Sequence, residues 1–115
     1  MYIRKYDIEN TINRITRNYK INMDGEVRQK IFRIFNLRND ITPKLNNGRK
    51  RMVDIKFLIR KILKLMGVKS YDKIPISKSK KTLKNCDLYW LNIVKLIGHK
   101  MSVIIHSQKP AAITL

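Results

Sequence analysis

Ile55-Lys56-Phe57-Leu58-Ile59-Arg60-Lys61-Ile62-Leu63-Lys64-Leu65-Met66-Gly67 is the stretch on which the fold turns. Ile55, Leu58, Ile59, Ile62, Leu65 and Met66 recur at helical spacing and give one wide apolar face. The spacing predicts a helix over Met52–Met66, ended by Gly67, a residue type suited to the left-handed C-terminal cap. A face this apolar must be covered by other elements, so this is the expected central core helix. Its other side carries Lys56, Arg60, Lys61 and Lys64. Lys56, Arg60 and Lys64 stand at i, i+4 and i+8, one above another along the helix. Like charges so placed destabilise a helix unless an anion lies against them.

Upstream, Ile8, Ile12, Ile15 and Tyr19 predict a helix over Asp7–Tyr19, with Arg14, Arg17 and Asn18 elsewhere on the wheel. Asp7 and Glu9 sit where the positive end of the helix dipole favours them. A second helix is expected over Asp24–Leu37, with Asp24 as N-cap. Val27, Ile31, Ile34 and Phe35 form its inner stripe, and Arg28, Lys30, Arg33 and Arg38 are expected on its remaining surface. Asn36–Arg49 reads as a loop, from Thr42-Pro43 and the turn signal Asn46-Asn47-Gly48.

Downstream, Val68–Lys78 is a connector, extended at Ile74-Pro75-Ile76. Ser77 or Ser79 is placed to cap a last helix reaching about Ile97, with Leu83, Cys86, Trp90, Ile93 and Ile97 inward and Gly98 as its end. Met101–Ile105 is a β-prone run, and Ser107–Leu115 a tail. The expected fold is mainly α. It is a single-domain bundle of about four helices over residues 1–106 with a short extended C-terminal segment, and residues 107–115 as tail.

The 115 residues suffice for one core, and 43% are apolar, so the chain can fold rather than remain a basic tail. Against that core stand 26 Lys and Arg and only 8 Asp and Glu, a formal net charge of +18. A compact domain holding such a surplus repels itself unless something negative neutralises it. Nucleic acid is the first candidate; an anionic membrane surface or an acidic protein comes second. The longest apolar stretches, Met101–Ile105 and Leu88–Leu91, fall far short of the roughly 20 residues of a membrane span, and no span is expected. Met1-Tyr2-Ile3-Arg4-Lys5 has no hydrophobic signal core. The single cysteine, Cys86, permits no disulfide within the chain and is expected in the core; zinc ligands are too few for a site.

Catalysis is not expected. His99 and His106 have no carboxylate beside them in their segment, the four glycines are isolated, and the acids are scattered rather than grouped to hold magnesium. No cofactor or metal is implied. Basic residues are the one functional class in excess. They form three groups: Arg49-Lys50-Arg51; Lys56, Arg60, Lys61 and Lys64; and Lys78, Lys80, Lys81 and Lys84. A surplus that was merely solvated would have acids interspersed among these groups. The expected partner is duplex DNA, held through its phosphates with weak base preference. Most aromatics fall on apolar helical faces and read as core, leaving Tyr2 and Tyr71 as exceptions. The long loop between the second and third helices excludes a helix-turn-helix.

One further pattern spans positions 49–98. Arg49-Lys50-Arg51 precedes the leucine-rich helix ending at Gly67. Pro75, Lys78 and Ser79 follow in a short connector, and Asp87 and Trp90 lie in the last helix. This resembles the C-terminal part of the poxvirus-type late transcription factor (the third late factor) of large nucleocytoplasmic DNA viruses. The resemblance implies a viral protein acting in late gene transcription beside other viral transcription proteins. Its place would be the infected host cell, in a viral factory or the nucleus. The alternative from another class is a structural virion component, a minor capsid or core protein binding acidic capsid partners or the packaged genome.

Overall fold

The computed structural model describes residues 3–41, 55–75 and 80–107. In these, four α-helices and one 3-10 turn enclose a common core: α1 (Lys5–Tyr19), α2 (Gly25–Asp40), α3 (Ile55–Leu65), η1 (Lys69–Lys73) and α4 (Lys80–His106). The mainly helical bundle read from the sequence is what forms.

Ile8, Ile12 and Ile15 bury the inner stripe of α1, and Tyr19 is half-buried at its end. Lys20 closes α1 in the left-handed conformation, φ 52°, and turns the chain so that Ile21 and Met23 also enter the core. Asp24 then caps α2 as expected: its carboxylate accepts from the Val27 N–H at 2.9 Å. Helix α2 continues past Leu37 to Asp40, because the residues expected to begin a loop still make helical hydrogen bonds. Its C-terminal turn is satisfied by Ile41, whose N–H donates to the Arg38 and Asn39 carbonyls. The expected loop beyond position 41 lies outside the described residues, as do Arg49, Lys50, Arg51, Ile76, the capping serines Ser77 and Ser79, and Lys78.

Helix α3 is the centre. Phe57, Leu58, Ile59, Ile62 and Leu63 are buried there, and it packs against α1, α4 and η1. Gly67 stops it at φ 77°, with the Gly67 N–H donating to Lys64 O at 3.1 Å and the Val68 N–H to Leu63 O at 3.0 Å. That is a Schellman cap, which requires the left-handed residue that glycine supplies without strain. Leu65, expected on the inner face, is instead 49% exposed at the last residue of α3, while Leu63, outside the expected stripe, is buried.

Helix α4 departs most from expectation. It neither ends at Gly98 nor gives way to an extended run: residues 101–106 are helical, and Met101 and Ile104 are buried in line with Ile93 and Ile97. Cys86 is buried as expected, whereas Tyr89 joins the core and Trp90 only half enters it. Helices α2 and α4 run antiparallel. The Lys30 Nζ near the start of α2 donates to Ile105 O at 2.8 Å, and the Arg38 Nε near its end donates to Tyr89 Oη, also at 2.8 Å.

By length and composition α4 is also long and apolar enough to cross a membrane, with an 18-residue window of mean hydropathy 1.2. Unbroken apolar runs alone do not register this, because Lys95, His99 and Lys100 interrupt them. One third of that window is buried in the bundle.

Candidate nucleic-acid interface

The positive charge divides unevenly. Over residues 3–41, nine Lys and Arg meet five Asp and Glu; over residues 55–75 and 80–107, eleven meet only Asp72 and Asp87. The basic residues of α2 are also largely committed to the fold, against the expectation that they line its surface. Arg28 donates to the Met23 carbonyl at 3.2 Å and to Asn13 Oδ1 at 3.1 Å. Lys30 holds Ile105 O and pairs with Glu26 at 3.3 Å, and Arg38 is buried against Tyr89 and Asn39. Arg33 alone of the four is exposed. Near the N-terminus, Arg4 pairs with Asp7 at 3.1 Å and Lys5 with Glu9 at 4.0 Å. Among the described residues the larger share of the surplus therefore lies on α3, η1 and α4, while Arg14, Arg17, Lys20 and Arg33 stay exposed on the first two helices and the turn between them.

On α3 the expected stripe exists, but its members differ in role. Arg60 is half-buried. Its Nε donates to Ile74 O at 3.1 Å, fastening the connector to the helix, and its guanidinium lies 5.1 Å from the centre of the Tyr71 ring. Lys64 is exposed and reaches the same ring, at 5.7 Å. The Tyr71 ring thus gathers two cations that would otherwise repel each other along the helix, an attraction between ring quadrupole and cation. Tyr71 was one of two aromatics set apart from the core in the sequence; it is half-buried in a structural contact. Tyr6, read as core, is 67% exposed because it falls on the outer side of α1. Tyr2 lies outside the described residues.

Lys61 links the two basic elements. Its Nζ stands 3.3 Å from Asp87 Oδ1 on α4 and 5.4 Å from the Phe57 ring. Asp87 thereby answers one cation of the stripe, while Lys80, Lys81 and Lys84, all exposed, lie in the preceding turns of α4. The first turn of α4 contains no acid and begins with two lysines, against the usual preference at the positive end of a helix. Lys56 is half-buried at the start of the stripe. The structure thus gathers Lys56, Arg60, Lys61 and Lys64 along α3 and joins them through Asp87 to Lys80, Lys81 and Lys84. The surface is basic, and Lys64, Lys80, Lys81 and Lys84 are its exposed members.

His99 and His106 are both exposed on the last turns of α4. Among the described residues no three of His, Cys, Asp and Glu come together to hold a metal ion. No family model, curated protein or solved structure matches the chain.

Proposed function

We propose that the chain is a non-enzymatic protein that binds duplex DNA through its phosphates, in the manner of the late transcription factors its central segment resembles. The observation that carries this reading is the concentration of charge: eleven cations against two carboxylates on residues 55–75 and 80–107, with lysines outermost. Such a surface is costly to a folded domain by self-repulsion and is relieved by a polyanion. The spread of cations along two elements suits a row of phosphates rather than a single anion, and the base edges would be read weakly. Titration of a duplex across a salt series tests the reading. The expected result is a linear fall of log affinity with log salt, with a slope of roughly −5 to −9 for about six to ten phosphates neutralised. Absence of duplex binding even at low salt defeats it.

One observation favours a second reading, a structural component of the virion. Leu88, Leu91 and Val103 are each more than half exposed on α4, and phosphates have no use for them. Many copies of the chain in purified particles would support that role; the host setting in either case is an infected cell.

A further inference from the structure

Leu88 and Leu91 are 51% and 59% exposed on the side of α4 that faces away from buried Cys86, Ile93, Ile97 and Ile104. They belong to a line along the helix: Lys84, Leu88, Leu91, Lys95, Gly98 and Ser102. Steps of four and three residues alternate along it, the spacing by which one helix meets another in a shallow supercoil. Five of the six are exposed, and Gly98 is half-exposed.

The line is narrow. Leu96 and Val103, also exposed, lie on a separate strip, with Asn92 and His99 between the two. A helix lying in a membrane interface presents one broad apolar face. Lysines stand within the line itself, before Leu88 and after Leu91, so a helix seated on this face must bring carboxylates to them as well as apolar side chains. Here the charges are Lys84 and Lys95, and the nearby carboxylate of Asp87 is engaged by Lys61.

A second copy would bring the same two lysines and no acid in line. Elsewhere in the chain, positions 42–54, 76–79 and 108–115 hold Lys44, Arg49, Lys50, Arg51, Lys78 and Lys109 against Asp54 alone, so they too fail to supply the missing charge.

We propose that this face of α4 docks an acidic amphipathic helix of another protein. The partner's apolar seam covers Leu88 and Leu91, its carboxylates meet Lys84 and Lys95, and its backbone draws close where Gly98 and Ser102 leave room. The inference stands beside the nucleic-acid reading rather than on it, since the leucines carry it; Lys84 is the one residue the two share.

The probe is a synthetic helix of about four heptads with Leu in its seam and Glu on both flanks, titrated into the full chain at physiological salt. Binding is expected, and Leu88→Ser with Leu91→Ser should weaken it about tenfold or more while the far-UV spectrum and duplex affinity stay unchanged. Lys95→Glu, which keeps both leucines, should weaken it as well. The proposal is overturned by no binding of the acidic helix, by equal binding of a peptide with Ser in place of Leu, or by indifference to all three substitutions. Two rival occupants have their own signatures. Vesicles of phosphatidylserine and phosphatidylcholine binding with this leucine dependence, without the peptide, would assign the face to lipid. A dimer in sedimentation equilibrium, abolished in the serine variant, would assign it to a second copy. Loss of duplex binding with peptide binding intact would strike the nucleic-acid reading alone.

Discussion

Arg38 stands among the basic residues that composition alone would count as surface charge, yet it is 6% exposed. Its Nε donates to Tyr89 Oη at 2.8 Å and its Nη1 to Asn39 Oδ1 at 3.1 Å. Asn39 in turn clasps the backbone of Ile3, accepting from its N–H and donating to its carbonyl, both at 3.0 Å. One polar chain therefore joins the N-terminal segment, α2 and α4. The spacing of α2 puts Arg38 on the inner face, four residues after Ile34 and seven after Ile31, but a guanidinium reads as surface charge and its partner Tyr89 is remote in the chain. Asp24 is the opposite case: a capping side chain needs only its neighbours in sequence, so its role was legible before the fold was known. Tyr89→Phe removes the acceptor of a charged donor in a closed site. The expected loss is about 1.5–3 kcal/mol, measured as a lower urea midpoint with unchanged slope. Asp24→Ala should cost about 1 kcal/mol through removal of the cap, and the two effects should add because the sites share no partner.

At the scale of the element, α3 and α4 show what periodicity reveals and what it conceals. Gly67 and Gly98 both follow an apolar stripe, and the sequence treats them alike. Gly67 adopts φ 77° and ends its helix, whereas Gly98 continues its own. The difference is tertiary. Beyond Gly67 the chain must turn back so that Ile74 can be buried, and Arg60 holds that turn by the Ile74 carbonyl. Beyond Gly98, Met101 and Ile104 repeat the spacing of Ile93 and Ile97 and find a partner surface in α2, to which Lys30 fastens the last turn. The β-branched cluster Val103-Ile104-Ile105 favours a strand when isolated, and packing overrides that preference. Glycine within a continuing helix should be a weak point. A Cβ at position 98 would lie 3.2 Å from Val94 Cγ1, a side chain at the surface that has space to yield. Gly98→Ala should therefore stabilise the protein, by somewhat less than the full ~1 kcal/mol separating the two residues in helices. A lower melting temperature than the parent would show that Val94 cannot move.

For the whole molecule, the net charge of +18 carries less information than its allocation. The positive side chains fall into two kinds, those the fold consumes and those it leaves outward. The sequence could not separate them because the acceptors are carbonyls and rings brought from distant segments. Arg60 combines both kinds, for it holds the connector and faces the Tyr71 ring within the basic stripe. Lys80, Lys81 and Lys84 belong to the second, being exposed on the opening turns of α4. Two variants should therefore part company. Lys80→Gln, Lys81→Gln and Lys84→Gln together should leave the urea midpoint nearly unchanged and weaken duplex binding across unrelated sequences. The salt dependence should become shallower by roughly 0.9 in slope for each phosphate no longer neutralised. Arg60→Gln should lower the midpoint, because the Ile74 carbonyl is deprived of a charged donor, and should shift the salt slope by no more than about one phosphate's worth. If instead the triple variant binds duplex with the parent's slope, those lysines do not meet phosphate. The interface would then have to be sought on Lys56 and Lys64 along α3.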